Sequence, residues 1–295
     1  MTAPEPTDSI LGLLRSPAIV RLAHISDLHL ADRARYPRHG ITAAQCTKYS
    51  TKPLEKLLRG IADAEVDHLV VTGDLTMSGE TAELQQAAKL FAPWAEAGKL
   101  TLVPGNHDVW SRPAAEQWRF LRVLGADGRG MKDVRASYPR QVELSPEVVL
   151  LALDTARWGA EPEDTAGQVG VEQLQATREL LREAKQQERA VVIALHHHLV
   201  LPPERVPSDA FVARMRLADA PELVRVAAEL PVAAILHGHR HTAFRIDIPG
   251  PSRPTPVLCA GSATRSASEP ARKPRAFICA FDRGGLRSVE TLVAG

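Results

Sequence analysis

Short apolar segments alternate with amphipathic helices through most of this 295-residue chain. Such a segment is typical of a buried strand, and apolar residues that recur every three or four positions are typical of a helix with one buried face. We predict strands at 18–24, 66–72, 100–103, 148–153, 191–195, 232–236, 244–248, 256–259, 276–281 and 286–292, and helices around 54–61, 84–91, 174–184 and 221–230. Alternating strands and helices followed by strands alone predict an α/β fold of two packed sheets flanked by helices.

The length of the chain suits one large α/β domain. We predict that residues 1–17 form a flexible N-terminal arm and that residues 18–295 form a single domain. The formal net charge is +1, so no global field attracts a polyanion, and any affinity for phosphate has to be local.

Cysteine usage and the N-terminal sequence bear on the compartment. The three cysteines, Cys46, Cys259 and Cys279, form no spaced pairs and are typical of reduced thiols. Residues 1–17 lack a basic segment followed by an apolar run, so we do not expect a signal peptide. No apolar stretch reaches membrane-spanning length. We therefore predict a cytoplasmic protein with no membrane partner.

Five of the predicted strands are followed by residues of the types that bind metal ions. The five clusters are Asp27-Leu28-His29, Gly73-Asp74, Gly105-Asn106-His107-Asp108, His196-His197-His198 and His237-Gly238-His239-Arg240-His241. In α/β folds ligands collect beyond the carboxyl ends of the strands, so five such ends can converge on one site. Each cluster alone has a structural explanation, such as a cap or a turn, but the five together indicate a metal centre.

The residue types in these clusters fit two metal ions. Asp and His bind borderline cations such as Mn, Fe, Zn or Co, a carboxylate can bridge two ions, and an Asn carbonyl can complete a coordination shell. Two neighbouring divalent or trivalent ions can generate hydroxide near neutral pH, orient a phosphoryl group and stabilise the leaving oxygen. Gly73, Gly105 and Gly238 allow the backbone to turn sharply and to approach a ligand closely.

The series D-x-H, G-D, G-N-H-D, H and G-H-x-H resembles the calcineurin-like metallophosphoesterases, with all five motifs in the family's order across residues 27–241. The segments HISDLHL, LVVTGDLTMSGE and LVPGNHD are similar to the branch that contains the bacterial class III cyclic-nucleotide phosphodiesterases. The resemblance implies a four-layer α/β/β/α sandwich of two mixed sheets flanked by helices. It also implies hydrolysis of a phosphoester by a hydroxide that bridges two metal ions.

The resemblance implies a role for each matching residue. One metal would be bound by Asp27, His29 and His241, the other by Asn106, His196 and His239, and Asp74 would bridge the two. His107 would contact the substrate phosphate and stabilise the transition state or protonate the leaving oxygen. Asp108 would orient His107.

The histidine triplet leaves the identity of one ligand open. Members of the family often have the sequence HHPP here, with the first histidine as the ligand, and the strand end places His196 in that position. Leu199 stands where a proline is common, so His197 is the alternative ligand. We expect His198 at the rim of the site or in contact with the ligands.

The loop at residues 31–50, after the first motif, is rich in arginine. A guanidinium there could pair with a substrate phosphate, so Arg33, Arg35 and Tyr36 are candidate substrate contacts, and a solvated loop is the alternative. Tyr36 and Trp110 could stack on a base, or they could pack within the protein.

These features predict a phosphodiesterase that acts on a small substrate such as a 3′,5′-cyclic nucleotide. A nuclease or a phosphomonoesterase on the same scaffold is the alternative, although a nuclease should carry a basic groove that a net charge of +1 does not indicate. A metal-free binding scaffold is a third hypothesis, and it is disfavoured because every expected ligand is present. The sequence leaves the native metal pair and the oligomeric state open.

Overall fold

The computed structural model describes residues 19–134, 138–159, 165–201, 215–265 and 267–294. The arm predicted for residues 1–17 lies outside the described residues. The strands are β1 (Val20–Ile25), β2 (His68–Thr72), β3 (Leu100–Val103), β4 (Arg140–Glu143), β5 (Val148–Ala152), β6 (Ala190–Ala194), β7 (Ala234–His237), β8 (Phe244–Ile248), β9 (Thr255–Cys259), β10 (Arg275–Asp282) and β11 (Gly285–Val293). The helices are α1 (Ala43–Cys46), α2 (Thr51–Asp63), α3 (Thr81–Glu96), α4 (Arg112–Glu116), α5 (Arg119–Val123), α6 (Val171–Gln186) and α7 (Ala220–Glu229).

The described strands form two mixed sheets. The first sheet has the order β11-β10-β1-β2-β3, in which β1, β2 and β3 are parallel and β10 and β11 are antiparallel to their neighbours. The second has the order β4-β5-β6-β7-β9-β8, with four parallel central strands and two antiparallel edge strands. Parallel strands place their carboxyl ends at one edge of a sheet, so β1, β2 and β3 end together, and so do β6 and β7.

Alternation of side chains along the strands builds three apolar layers. Leu22 of β1 faces the second sheet and packs in one layer with Val70 and Phe281, whereas Ala23 and Ile25 face the helices. The outer face of the first sheet packs against α2, α3 and α5, and the outer face of the second packs against α6 and α7. The result is a sandwich with the order helix, sheet, sheet, helix.

The helices follow from apolar periodicity and capping residues. Helix α2 begins after Ser50, whose hydroxyl accepts a hydrogen bond from the amide of Lys52 at 3.4 Å. Its apolar residues Leu54, Leu57 and Ile61 recur at helical spacing and are buried against the first sheet. Among the described helices, none is long and apolar enough to cross a membrane.

The predicted four-layer sandwich is confirmed. The strands at 100–103 and 244–248 begin and end at the predicted residues, and the other predicted strands differ by at most two residues at either end. Strand β4 was not predicted, because three of its four residues are exposed at the edge of the sheet and it contains no apolar run. Helices α1, α4 and α5 have only four or five residues, which is too short for periodicity to show.

Phe281 offers a test of the layer between the sheets, because its side chain is fully buried there. We expect Phe281→Ala to lower the free energy of unfolding by about 3–5 kcal/mol, through lost burial and the cavity that remains. Val293→Ala is the matched control, since Val293 is 49% exposed, and it should cost less than about 1 kcal/mol. Urea denaturation of both variants measures the difference. Equal losses in the two variants would contradict the assignment of Phe281 to the core.

Candidate metal centre

The predicted metal ligands lie together where strands of both sheets end. The loops after β1, β2 and β3 of the first sheet meet the loops after β6 and β7 of the second. The side chains brought together are Asp27, His29, Asp74, Asn106, His196, His239 and His241. All are buried except His241, whose side chain is 16% exposed.

Asp27, His29, Asp74 and His241 form one half of this cluster, and a ligand atom of each lies within 4.8 Å of the others. The Nε2 atoms of His29 and His241 are 3.0 Å apart. Nε2 of His241 is 3.2 Å from Oδ1 of Asp27, and Nε2 of His29 is 3.6 Å from Oδ2 of Asp74. Two carboxylates and two imidazoles therefore surround one small space.

The other oxygen of Asp74 faces the second half of the cluster. Its Oδ1 is 3.4 Å from Nε2 of His196. The same nitrogen of His196 is 3.2 Å from Oδ1 of Asn106 and 3.2 Å from Nδ1 of His239. Because Oδ2 faces His29, the carboxylate of Asp74 lies between the two halves, which is the position that a bridging ligand requires.

The backbone determines which nitrogen of His196 faces the cluster. Its Nδ1 lies 2.8 Å from the carbonyl oxygen of Thr72, and since a carbonyl can only accept, Nδ1 carries the proton. In the neutral ring, the lone pair of Nε2 is therefore directed at the oxygens of Asp74 and Asn106. Three buried acceptors that face one another are stabilised by a cation between them. The donor set fits a bound metal ion, and Asp, Asn and His suit Mn, Fe, Zn or Co.

His197 also approaches His196 and His239, with a ring nitrogen within 4.8 Å of their ligand atoms. Both of its nitrogens, however, have protein partners. Nε2 is 3.1 Å from the carbonyl oxygen of Thr165, so Nε2 carries the proton, and Nδ1 accepts from the hydroxyl of Thr155 at 2.8 Å. His196 rather than His197 thus directs a lone pair into the cluster.

His198 lies against the cluster without facing into it. Its ring stacks on that of His239 with the centroids 5.5 Å apart and an interplanar angle of 16°. It is buried, with only 4% of its surface exposed, so it packs behind a predicted ligand rather than at the rim.

Five of the seven predicted ligands have backbones in the left-handed region. The φ angles are 54° at Asp27, 45° at His29, 51° at Asp74, 70° at His239 and 49° at His241. A residue with a side chain pays on the order of 1 kcal/mol or more for this conformation, which persists only where the surrounding structure holds it. The loops therefore carry strain at the residues that face the centre.

Hydrogen bonds between the loops hold these conformations. The amide of Asp27 donates to the carbonyl of Gly73 at 3.1 Å, and the amide of His29 donates to the carbonyl of Asp74 at 2.9 Å. The amide of His239 donates to both carboxylate oxygens of Asp27 at 3.0 Å. Loops from both sheets are thus joined through the same residues that face the centre.

Two of the motif glycines are required by close approach of the chain. Gly73 has a φ of 84°, and a Cβ there would lie 2.6 Å from Cγ of His196. A Cβ at Gly105 would collide with the carboxylate of Asp74, 2.9 Å from its Cγ. Any larger residue at either position would displace a predicted ligand.

Two hydroxyl residues that the sequence did not indicate support the first motif. Ser262 donates to the carbonyl of Asp27 and Thr264 to the carbonyl of Leu28, each at 2.7 Å. Both residues lie in the loop after β9, a sixth strand that ends near the site. The available signal was a run of small and hydroxyl residues, 260–264, directly after a buried strand.

His107 is held by its backbone, its ring nitrogen and its ring face. Its amide donates to Oδ1 of Asp74 at 2.8 Å, and its Nδ1 lies 2.7 Å from the carbonyl oxygen of Met77. The ring stacks on Trp110 with the centroids 4.5 Å apart and an interplanar angle of 16°, and its centroid is 4.6 Å from that of His29. The carbonyl of Met77 requires a proton on Nδ1, so Nε2 is the atom left for a substrate.

The carboxylate of Asp108, which was expected to orient His107, is hydrogen-bonded to the segments at 75–76 and 105 and not to the ring of His107. The carboxylate of Asp108 accepts hydrogen bonds from the amide and hydroxyl of Thr76 at 2.9 and 2.7 Å, from the amide of Gly105 at 2.9 Å and from that of Leu75 at 3.2 Å. These donors surround Asp108 because the loop that carries Asp74 folds over its carboxylate. Asp108 therefore joins the second and third motif loops, and the carbonyl of Met77 orients the ring of His107.

The charges in the cluster depend strongly on one another. Burial by itself would raise the pKa of Asp74, but the imidazoles of His196 and His107 outweigh it and hold that pKa well below its usual value. Burial opposes a positive charge on His196, but the carboxylate of Asp74 more than offsets it and raises the pKa of His196 to about 9. Burial keeps the pKa of His239 well below its usual value. The carboxylates thus favour a cation at this point.

The arginine-rich loop contributes less to the centre than the sequence suggested. The hydroxyl of Tyr36 donates to Glu83 of α3 at 2.5 Å, so Tyr36 anchors the loop. Arg35 pairs with Asp32 at 3.1 Å, and its side chain is 62% exposed. Arg33 lines a cavity beside the centre. Trp110, the other candidate for base stacking, packs on His107 instead.

Tyr49 and Arg265 contact a predicted ligand but were not identified from the sequence. The hydroxyl of Tyr49 and Nη1 of Arg265 each lie 3.3 Å from Nδ1 of His241. The ring of Tyr49 also packs on that of His29, with the centroids 4.4 Å apart. Neither residue lies in one of the five motifs, so the local sequence carries no signal of this role.

The histidine triplet offers a clean test of the assignment. We expect His196→Ala to lose bound metal and at least about 100-fold in activity, because His196 is the member of the triplet that directs a lone pair at Asp74. His198→Ala should retain most of both, since its ring only packs on His239. Metal analysis of reloaded protein and an assay with bis(p-nitrophenyl) phosphate measure the two effects. If His197→Ala were the variant that loses metal, the ring orientations described above would not be those of the loaded protein.

Comparison with known proteins identifies relatives among phosphoesterases. The chain is 25% identical over 224 residues to the 3′,5′-cyclic adenosine monophosphate phosphodiesterase CpdA of Haemophilus influenzae, covering 76% of this chain and 70% of that protein. It is 27% identical over 183 residues to the protein of the same name from Vibrio vulnificus, covering 62% of this chain and 57% of that protein.

Solved structures share the fold. A dimetal phosphatase from Danio rerio matches 95% of this chain and all of its own with a TM-score of 0.59 at 16% identity. The purple acid phosphatase PPD1 from yellow lupin matches 94% of this chain and 54% of its own, with a TM-score of 0.59 at 11% identity. A sequence model of the calcineurin-like phosphoesterases matches residues 20–243. The chain belongs to the calcineurin-like phosphoesterase family.

Proposed function

We propose that this protein is a dinuclear metal-dependent phosphodiesterase that acts on a small phosphodiester such as a 3′,5′-cyclic nucleotide. The observation that carries the proposal is the position of Asp74. Its two carboxylate oxygens face two separate groups of nitrogen and oxygen ligands, and His107 lies beside the same cluster. A site for a single ion would not need two groups of ligands on opposite sides of one carboxylate.

Each half of the cluster would hold one ion. Asp27, His29 and His241 would bind the first, Asn106, His196 and His239 the second, and Asp74 would bridge them. When bound, two such ions supply an activated nucleophile and Lewis-acid stabilisation of the phosphoryl group. The residue types suit Mn, Fe, Zn or Co.

The role of His107 follows from its hydrogen bonds. Because Nδ1 donates to the carbonyl of Met77, only Nε2 can meet the substrate. A protonated Nε2 would donate to the phosphoryl oxygens or to the leaving oxygen, as a general acid does. Stacking on Trp110 limits rotation of the ring.

The low net charge of the chain favours a small substrate with a single negative charge. A phosphodiester carries one negative charge, so a dinuclear centre can hold it without an extensive basic surface, and the net charge of this chain is only +1. Both curated relatives described above are named as cyclic-AMP phosphodiesterases. These points support a small diester over a long nucleic acid.

A substrate panel tests the proposal. We expect kcat/KM for 3′,5′-cyclic AMP to exceed the values for a phosphomonoester and for a single-stranded oligonucleotide, measured in one buffer with one metal. Comparing 3′,5′-cyclic AMP with 2′,3′-cyclic AMP shows which of the two cyclic diesters the enzyme prefers. A clear preference for the monoester or the oligonucleotide would replace the cyclic nucleotide with one of the alternative substrates.

A second prediction separates His107 from the metal ligands. We expect His107→Gln to lower kcat by about 10²- to 10⁴-fold while the metal content stays close to normal. The loss should be smaller with a p-nitrophenyl ester, because its leaving group needs no proton. Asp74→Asn is the control, and it should lower both metal content and activity. Loss of a metal from His107→Gln protein would show that the roles of Asn106 and His107 have been exchanged.

A further inference from the structure

A cavity of about 320 Å³ lies beside the candidate metal centre and shares His29 as part of its wall. It is lined by residues that follow β1, by Cys46, Tyr49 and Ser50, by the first turn of α2 and by Gln86 of α3. Its volume is at the lower end of the range of small-molecule sites, roughly 300–1,000 Å³. We call it the His29 cavity.

The ring of His29 lines this cavity and has one nitrogen without a described hydrogen-bond partner. The Nε2 atom of its ring faces His241 and Asp74, neither of which lines the cavity. Nδ1 is buried and has no hydrogen-bond partner among the described residues, and the whole side chain is only 1% exposed. If Nε2 offers its lone pair to a metal, Nδ1 must carry the proton. A histidine that binds a metal almost always donates this second N–H to an acceptor, and no described residue supplies that acceptor to His29.

Two cations line the same cavity. Arg33 and Lys52 are both lining residues, and Nη2 of Arg33 is held beside the cavity by the carbonyl oxygen of Tyr49 at 2.5 Å. None of the described lining residues is an aspartate or a glutamate. The cavity therefore combines positive charge with hydrogen-bond donors and lacks the carboxylates that would neutralise them.

The beginning of α2 adds to this positive potential. Ser50, Thr51 and Lys52 line the cavity, and Ser50 is the N-cap of this 13-residue helix. The amino terminus of a helix carries partial positive charge, so acidic residues are favoured in the first turn and a lysine is not. The first turn of α2 contains no acidic residue. A bound anion would offset this arrangement.

We propose that the His29 cavity binds a phosphate-type oxyanion, which accepts a hydrogen bond from Nδ1 of His29 and pairs with Arg33 and Lys52. The anion has two sources with the same chemistry, a second phosphate on the substrate or free inorganic phosphate. The first source rests on the proposed function and makes the preferred substrate a diester with an additional terminal phosphate. The second needs only the cavity.

Direct binding tests the site itself. Calorimetry of metal-loaded protein with inorganic phosphate should show one equivalent more for the wild type than for the double variant Arg33→Gln/Lys52→Gln. The double variant Lys48→Gln/Arg59→Gln is the matched control, because it removes one lysine and one arginine that are exposed nearby and do not line the cavity. This control should bind phosphate as the wild type does. Equal stoichiometry and affinity in all three proteins would overturn the proposal.

Kinetics distinguish the two sources of the anion. The linear diadenosine diester with a 5′-phosphate is compared with the same diester without it, in the same three proteins. If the substrate supplies the anion, the wild type and the control should prefer the phosphorylated diester by about tenfold or more in kcat/KM, and Arg33→Gln/Lys52→Gln should lose that preference. Loss of phosphate binding without such a preference assigns the cavity to free phosphate. Because calorimetry requires no turnover, a phosphate site lost only in Arg33→Gln/Lys52→Gln supports the cavity even if neither diester is hydrolysed.

Discussion

The site depends on Asp74, which is bound through its backbone and its carboxylate at once. Its carbonyl accepts the amides of Leu28 and His29 at 2.8 and 2.9 Å, and its Oδ1 accepts the amide of His107 at 2.8 Å. These bonds join the loops after β1, β2 and β3, while the same carboxylate lies against His196 from the second sheet. One buried, charged side chain thus sets the spacing of both halves of the cluster, and its own φ of 51° is part of the strain that the surrounding loops hold.

The cluster combines strained backbone conformations with buried polar side chains, and both are unfavourable for folding. Seven polar side chains and five left-handed backbones would destabilise an ordinary core, since each buried polar group without a partner costs about 1–3 kcal/mol. The apolar layers on both sides of each sheet offset this cost, because the strained loops are anchored to two well-packed sheets. A rigid scaffold of this kind can hold ligands in positions that the loops alone would not adopt. The apolar layers therefore supply the stability of the fold, and the candidate metal ligands lie at the edge of those layers.

Contacts around the cluster determine which atom of each imidazole is available. Carbonyl oxygens of Thr72, Thr165 and Met77 fix the protonated nitrogen of His196, His197 and His107 respectively. His29 differs, because its outer nitrogen has no described partner and borders a cavity lined by cations. The hydrogen bonds of the outer ring nitrogens, rather than the number of histidines, therefore distinguish these rings. They separate a ring that faces the centre, a ring that supports it and the ring that borders the His29 cavity.

The sequence by itself determined the layer order, the strand ends that meet, and the residue types at those ends, because these follow from apolar periodicity and short motifs. It could not choose between His196 and His197, since both follow the same strand and only the carbonyls of Thr72 and Thr165 distinguish them. It also did not predict the hydrogen bonds of Asp108 to the neighbouring loops, and it did not identify Ser262, Thr264, Tyr49 or Arg265. Those contacts join residues far apart in the chain, 235 positions in the case of Ser262 and Asp27, so only the packing of the two sheets brings them together. Local patterns record the period of a strand or helix and the chemistry of a motif, whereas ring orientation, backbone strain and the lining of a cavity arise from tertiary contacts.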